Sequence, residues 1–422
     1  MFKHFVTFGK LRSALHFVAL VRSICLPRNF YVERTKMEKQ VENTDFYANY
    51  HGHTVNDLKQ LVRNLRSAGR RRFIYLMGDS TLDNKHWLYP PSRLGKSRRA
   101  LEDPRCGAAA CNGYEQALSA PKRSVMDVAY WVNRAVLADV KNSSGAVNKT
   151  SGGPGVNKTS GGGEEQSAAE VQSEDPSARE STTTSSPPYV CVNAAIEEST
   201  LGGRSGNTLL PQDRFVSHAL TEEDVIVVSA GGNDIALAPG FLTVVNILSA
   251  LLYSTTVGQK ENGYAPGLAH FVNLFGKQTE GFLLNVLQGK RPKVVVVCML
   301  YFLNTDSNQA SWANGTLGIL KYNSQPEILQ GFIRYVFHHG TKNVKIPGVT
   351  VVPLPLFDTL DGSDTRDYVA RVEPSVVGGK KLGFAIWNAV KTGLNLQEPA
   401  RTSTMEEFLS AGEDVDEGVP EG

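Results

Sequence analysis

The chain has 422 residues, of which 41% are hydrophobic and 20% charged, and its formal net charge is +2. This composition provides enough apolar side chains to bury a sizeable core. A nearly neutral chain has no overall field to attract nucleic acid or an anionic membrane, so we expect no nucleic-acid partner.

The N-terminal residues 1–36 differ in character from the rest of the chain. Residues 1–32 contain Lys3, Lys10, Arg12, Arg22 and Arg28 among apolar residues and no acidic residue. This pattern suits a mitochondrial presequence, whereas a secretory signal fits less well because Arg22 interrupts its apolar stretch. The alternative is an extension upstream of a cytoplasmic protein that begins at Met37. We therefore treat 1–36 as a basic extension or presequence.

Two further segments are low in complexity. Residues 141–187 contain "VNKTSGG" twice among Ser, Gly, Thr and Glu, and residues 399–422 are acidic and rich in Gly. Such segments cannot bury enough apolar surface to order themselves. We expect a disordered insertion and a disordered tail around one domain at 37–398. No run of ~18 apolar residues suggests a transmembrane span.

The chain has five cysteines, and their spacing does not match a zinc site. We expect reduced thiols, no metal and no cofactor.

The remaining sequence alternates between strand-like and helix-like segments. The strand-like runs are 73–78, 189–193, 224–230, 293–302 and 349–357; the helix-like stretches are 54–68, 122–139, 241–255, 266–289, 325–339 and 376–394. Strands such as "KVVVVCML" are apolar at every position, which is typical of a parallel sheet covered on both faces. The pattern predicts a three-layer α/β/α sandwich with a central parallel sheet of about five strands.

Polar residues follow several of these strands, at the edge where such sheets bind ligands. The first strand ends in Gly78-Asp79-Ser80, and the third leads into Gly231-Gly232-Asn233-Asp234. A serine at a strand-to-helix turn is exposed for nucleophilic attack. The Ser80 amide, a backbone N–H near Gly202 or Gly232, and the Asn233 side chain could hold a developing oxyanion. This combination indicates acyl transfer on a small-molecule ester.

In these motifs the chain resembles the SGNH (GDSL-type) hydrolases, over roughly 73–395 without the insertion. The resemblance implies a flavodoxin-like fold, with Ser80 of "GDS" as nucleophile and Asn233 of "GGND" in the oxyanion hole. Gly202 would be the glycine of the second motif, on a looser match. Asp79 would hold its turn, Asp234 would cap a helix, and Asp367 could orient a catalytic partner.

The last motif departs from that family. Its Asp-x-x-His pattern is replaced by Ala370-Arg371-Val372-Glu373, although Pro374-Ser375 and an apolar helix still follow. A carboxylate with a pKa near ~4.3 is a weak base for a serine. Three explanations are open: Glu373 acts as an unusual base, His86 reaches the site, or catalysis is lost.

The leading hypothesis is a serine esterase or lipase that cleaves an ester of an acylated lipid or sugar through Ser80. The alternative is an inactive relative that binds an acylated or carbohydrate ligand or a protein partner. A flavodoxin-like nucleotide-binding domain is a weaker third hypothesis, since the first strand is not followed by a phosphate-binding glycine loop.

Overall fold

A computed structural model of the protein describes residues 39–89, 101–147, 189–206, 208–236 and 267–396, without the side chains of 141–147. The N-terminal segment 1–36, the predicted helix 241–255 and the tail 399–422 lie outside the described residues, as does the insertion beyond residue 147. The expectations for those segments therefore stay predictions.

The described residues form nine strands. They are β1 Phe73–Gly78, β2 Gly107–Ala109, β3 Arg123–Val125, β4 Val190–Asn193, β5 Val225–Ser229, β6 Val294–Met299, β7 Thr350–Pro355, β8 Tyr368–Val369 and β9 Glu373–Pro374. Five of them build a central parallel sheet in the order β4-β1-β5-β6-β7, while β2–β3 and β8–β9 are antiparallel pairs. The predicted parallel sheet of five strands is confirmed.

The order of the strands determines where a ligand can bind. Numbered along the chain within the sheet alone, the order is 2-1-3-4-5, the order of flavodoxin-like doubly wound folds. The order reverses between β1 and β5, where Gly78 lies in register with Ser229. Open α/β sheets bind ligands at such a reversal, beyond the carboxyl ends of the strands.

Eleven helices accompany the strands in the described residues. They are α1 Asn43–Phe46, α2 Val55–Ser67, α3 Tyr114–Ala117, α4 Val128–Val147, α5 Pro211–Ala219, α6 Gly232–Ala236, α7 Leu268–Asn273, α8 Thr279–Leu287, α9 Asn314–Ile319, α10 Pro326–His339 and α11 Val376–Gly393. A π-helical turn, Leu274–Gln278, joins α7 to α8. The predicted helix 266–289 is therefore helical with a change of pitch.

The sheet separates two apolar cores, which makes the molecule three-layered. Phe73, Tyr75 and Met77 of β1 pack with residues of α2, α5, α8 and α10. Ile74 and Leu76 point to the other face and pack with residues of α4 and α11. Side chains alternate across a strand, so a continuous apolar run supplies both cores.

Several boundaries differ from those predicted. Helix α4 continues to Val147, past residue 141, where the insertion was expected to begin. The short pairs β2–β3 and β8–β9 were not predicted, because two- and three-residue strands leave no periodic pattern. None of the helices in the described residues is long and apolar enough to cross a membrane. Cys106, Cys111, Cys191 and Cys298 form no disulfide.

Candidate functional site

Ser80 lies in the tight turn that follows β1. Gly78 has φ +125°, and a Cβ at this position would collide with the carbonyl of Ser229 on β5. The Asp79 amide donates to that carbonyl at 3.0 Å. The Asp79 carboxylate accepts from the Thr81 amide at 3.1 Å, so it holds the turn as predicted. The glycine lets the two strands approach closely and directs Ser80 into the crevice between them.

Glu373 reaches the same crevice from strand β9. Three contacts fix this strand. Asn84 Nδ2 donates to the Pro374 carbonyl at 2.9 Å, the Tyr301 hydroxyl donates to the Val372 carbonyl at 2.7 Å, and Val369 pairs with Glu373. The backbone on both sides of Glu373 is therefore held in place by hydrogen bonds.

The Arg371 guanidinium does not neutralise Glu373. It donates instead to Asn314 Oδ1 at 2.8 Å, to Asn323 Oδ1 at 2.9 Å and to the Asn304 carbonyl. Ala370 and Arg371 have φ of +49° and +68°, so the chain makes a left-handed turn just before β9.

Ser80 and Glu373 line the same pocket. Burial raises the pKa of Glu373 to about 8, hydrogen bonding with the Ser80 hydroxyl lowers it in part, and the negative charge of Asp79 raises it further. Glu373 is 4% exposed. Glu373 therefore stands where a base for Ser80 is needed, with a proton affinity well above that of an ordinary glutamate.

A second carboxyl group, that of Glu197, is buried after strand β4. Its Oε1 accepts a hydrogen bond from Trp87 Nε1 at 3.0 Å. Burial and the charge of Glu373 raise the pKa of Glu197 to about 9. Glu197 was not predicted; the available signal was an acidic residue in "NAAIEEST", directly after a buried strand.

Asn233 and Gly232 face Ser80 from the first turn of α6. Asn233 Nδ2 donates one hydrogen bond to the Ser199 carbonyl at 3.1 Å, which leaves its second N–H without a partner in the described residues. Asn233 is 8% exposed and lines the pocket together with Gly232, Asp79 and Ser80. The structure thus brings the two sequence motifs "GDS" and "GGND" to one site.

Gly202 does not serve as predicted. Its amide donates to Asp234 Oδ1 at 2.8 Å, and the Leu201 amide donates to Asp234 Oδ2 at 2.8 Å. The Gly202 N–H is already used and cannot hold an oxyanion in this arrangement. Asp234 was expected to cap a helix, and its carboxylate accepts from the first amides of the 3-10 turn Gly202–Arg204, which fastens this turn to α6.

His86 and Asp367 lie away from Ser80. The His86 ring packs against Tyr50 and Tyr89, with ring centroids 4.7 and 5.7 Å apart, and it does not line the pocket. Burial and the charge of Lys85 lower the pKa of His86. Asp367 accepts a hydrogen bond from Lys381 Nζ at 2.7 Å and orients no catalytic partner.

The pocket beside Ser80 has a volume of about 120 Å³. Its polar lining residues include Ser80, Asn233 and Glu373. The rest of the wall is apolar and includes Ile235, Leu300, Leu303, Trp312, Leu317, Leu320, Leu329 and Ile333. Trp312 is 45% exposed and stacks on Trp87 at the pocket entrance, with centroids 6.3 Å apart.

The described residues contain no group of three or more His, Cys, Asp or Glu side chains arranged to hold a metal ion. No family model matches the chain, and neither the curated proteins nor the solved structures contain a match to it. The functional argument therefore depends on the geometry of the site.

Proposed function

We propose that the protein is an SGNH-like serine hydrolase that cleaves a carboxylic ester through Ser80. The observation that carries this proposal is the placement of Ser80 and the buried Glu373 carboxyl group in one pocket, at the strand-order reversal of the sheet. A serine nucleophile needs a base within hydrogen-bond reach, and geometry is the first criterion for such a base.

The reaction follows from these positions. Glu373 in its carboxylate form takes the Ser80 proton while Oγ attacks the acyl carbon. The Ser80 amide and the second N–H of Asn233 Nδ2 hold the oxyanion, and Glu373 returns the proton to the departing alcohol. Water then attacks the acyl-serine, with Glu373 again as base, and releases the carboxylic acid.

The pocket favours an ester with an apolar acyl group. A volume of about 120 Å³ is close to that of an apolar cavity of ~150 Å³ that binds benzene. Most of its lining residues are apolar, which disfavours a polar acyl substituent. An acylated lipid or an acylated sugar with a short to medium acyl chain would satisfy both features.

The test is labelling of the full chain with a fluorophosphonate, which reacts only with activated serines. Wild type should be labelled and Ser80→Ala should not, while Glu373→Gln should lose labelling by several orders of magnitude. Ser324→Ala, at an exposed serine outside the pocket, is the matched control. Absence of labelling in folded wild type across pH ~5 to 9 would contradict the hydrolase. A panel of esters of increasing acyl length then defines the substrate.

A second candidate is an inactive binding protein with the same pocket. The stacked rings of Trp87 and Trp312 support a binding function. An exposed tryptophan beside an apolar pocket is typical of a ligand site. Unlabelled wild type that still binds fatty acid or acylated sugar, detected by Trp fluorescence, would favour this function.

A further inference from the structure

The buried side chain of Arg204 contacts the turn and the loop that carry the site. Its Nη2 donates to the Gly78 carbonyl at 3.3 Å, and its Nη1 donates to the Ser199 hydroxyl at 2.9 Å and the Thr200 carbonyl at 3.2 Å. Its Nε donates to Asp213 Oδ2 at 2.8 Å, and both charged side chains are fully buried. The planar guanidinium thus serves three directions at once, which a lysine ammonium group cannot do with the same geometry.

The Gly78 carbonyl is the first group that these contacts fix. Besides Arg204, it accepts from the Ser199 hydroxyl at 2.8 Å and from the Ile196 amide at 2.9 Å. On its N–H side, the same peptide group is bonded to β5 at 3.0 Å. Because Ser80 lies two residues further on, the direction of its amide depends on how this peptide group is held.

Ser199 connects these contacts to Asn233. Its carbonyl accepts from Asn233 Nδ2 at 3.1 Å, while its hydroxyl is bonded to both Arg204 and Gly78. The loop at Ser199 therefore joins the turn after β1 to the first turn of α6. In the proposed hydrolase these two turns carry the two oxyanion donors.

The burial of the ion pair is not explained by stability alone. Removing two charges from water costs free energy that their attraction repays only in part, and apolar side chains of similar volume often stabilise a fold equally well. Apolar side chains could fill the space of Arg204 and Asp213. They could not supply the N–H groups that Arg204 directs to Gly78 and Ser199.

Building on the hydrolase proposed above, we propose that Arg204 is a positioning residue for the oxyanion hole. Through the Gly78 carbonyl it orients the turn that presents the Ser80 amide, and through Ser199 it orients Asn233. Arg204 does not line the pocket, so it acts on the reacting atoms only through these neighbours.

The first experiment removes the Ser199 hydroxyl and leaves the ion pair intact. Ser199→Ala should lower kcat on the best ester about 3- to 10-fold with unchanged KM, because one hydrogen bond that orients the donors is lost. Ser217→Ala is the matched control, since Ser217 is also buried and its hydroxyl has no partner among the described residues. It should retain wild-type kinetics. A wild-type kcat in Ser199→Ala would overturn the inference.

A double-mutant cycle tests whether Ser199 acts through Asn233. In an Asn233→Ala background, Ser199→Ala should lower kcat by a smaller factor than in wild type, because the group that it orients is already missing. Equal factors in both backgrounds would overturn the connection between Ser199 and Asn233. A residue that only supported the fold would give equal factors.

The second experiment replaces the ion pair without leaving an unpaired buried charge. Arg204→Met combined with Asp213→Leu should remain folded by circular dichroism and lower kcat about 10- to 100-fold, since a small displacement of the donors slows the reaction. Arg204→Lys keeps the charge but lacks the planar fork, so it should also lose kcat. Full activity of the apolar variant would overturn the inference. If that variant does not fold, Ser199→Ala and the cycle decide.

Hydrogen exchange of the full chain separates this proposal from the hydrolase, because it does not need activity. Residues 76–82 and 229–236 should exchange faster in the apolar variant than in wild type, while β6 keeps its rate. Unchanged exchange together with fluorophosphonate labelling of wild type would overturn the role of Arg204 and leave the hydrolase standing. Faster exchange together with an unlabelled wild type would overturn the hydrolase and leave Arg204 as the residue that orders these two turns.

Discussion

Glu373 occupies a position where a histidine would be expected from the resemblance, and burial compensates for the difference. An exposed glutamate has a pKa near ~4.3 and accepts a serine proton poorly. Removal from water raises the pKa of Glu373 to about 8, close to the range in which histidine works. The environment thus gives a carboxyl group the proton affinity that imidazole has by nature.

Asn233 has the only side-chain amide that lines the pocket in the described residues. In the proposed hydrolase its removal should therefore lower the rate of the chemical step rather than the affinity for the substrate. We expect Asn233→Ala to lower kcat about 10²- to 10³-fold with little change in KM, because its N–H acts on charge that develops in the transition state. Steady-state kinetics on the best ester of the panel measure this change. Asn308→Ala, on an exposed loop, should retain wild-type kinetics. A higher KM at constant kcat would instead assign Asn233 to ground-state binding.

At the scale of elements, the turn between β1 and the site depends on Gly78. Gly78 has φ +125°, and a Cβ at this position would collide with the carbonyl of Ser229. A Cβ at Gly281 in α8 meets nothing within 4 Å. We expect Gly78→Ala to lower the free energy of unfolding by more than about 4 kcal/mol. Gly281→Ala should raise it by up to about 1 kcal/mol, since alanine is the better helix former. Urea unfolding of both variants gives the comparison.

A Gly78→Ala chain that is recovered only in insoluble form agrees with that expectation. If it is soluble but unfolds too early for a urea curve, its thermal aggregation temperature replaces the urea midpoint. A Gly78→Ala variant as stable as wild type would show that the β1–β5 approach can relax. The Gly281→Ala variant controls for the general effect of replacing glycine with alanine.

The sequence was sufficient to predict the strands that carry the site, and insufficient for the contacts between distant segments. Buried apolar runs such as Phe73–Gly78 have a pattern that one sequence reveals, and their carboxyl ends must meet at one edge. The hydrogen bond between the Gly202 amide and Asp234 joins residues far apart in the chain. The effect of the Glu373 charge on the pKa of Glu197 does so as well. No local periodicity reports such contacts, so the role of Gly202 was mispredicted and Glu197 was missed.

At the scale of the whole molecule, the site places several acidic groups in the interior. Burial raises the pKa values of Asp79 and Asp127 to about 6, in addition to those of Glu197 and Glu373. The folded state therefore binds protons that the unfolded chain releases. Burying these carboxyl groups costs stability, as is common for preorganised polar sites.

The sign of the resulting pH dependence can be worked out between about pH 7 and 8.5. Unfolded glutamates are ionised throughout this range, whereas the folded pair gives up its protons only as the pH rises through about 8 and 9. Because the folded state binds more protons, stability must fall as the pH rises, by up to about 1.4 kcal/mol per pH unit for each retained proton. His53, His86, Asp79 and Asp127 change little in this range, since the pKa values of the two histidines are lowered and those of the two aspartates are about 6.

Urea midpoints across this range test the expectation. The midpoint of wild type should decrease with rising pH, and Glu197→Gln combined with Glu373→Gln should flatten the decrease, because neither amide ionises in either state. Glu198→Gln should keep the wild-type slope. A wild-type midpoint that is constant or rises with pH would mean that the pair is already ionised at neutral pH. In that case Glu373 would be an ordinary carboxylate, and the high proton affinity assigned to the base of Ser80 would be wrong.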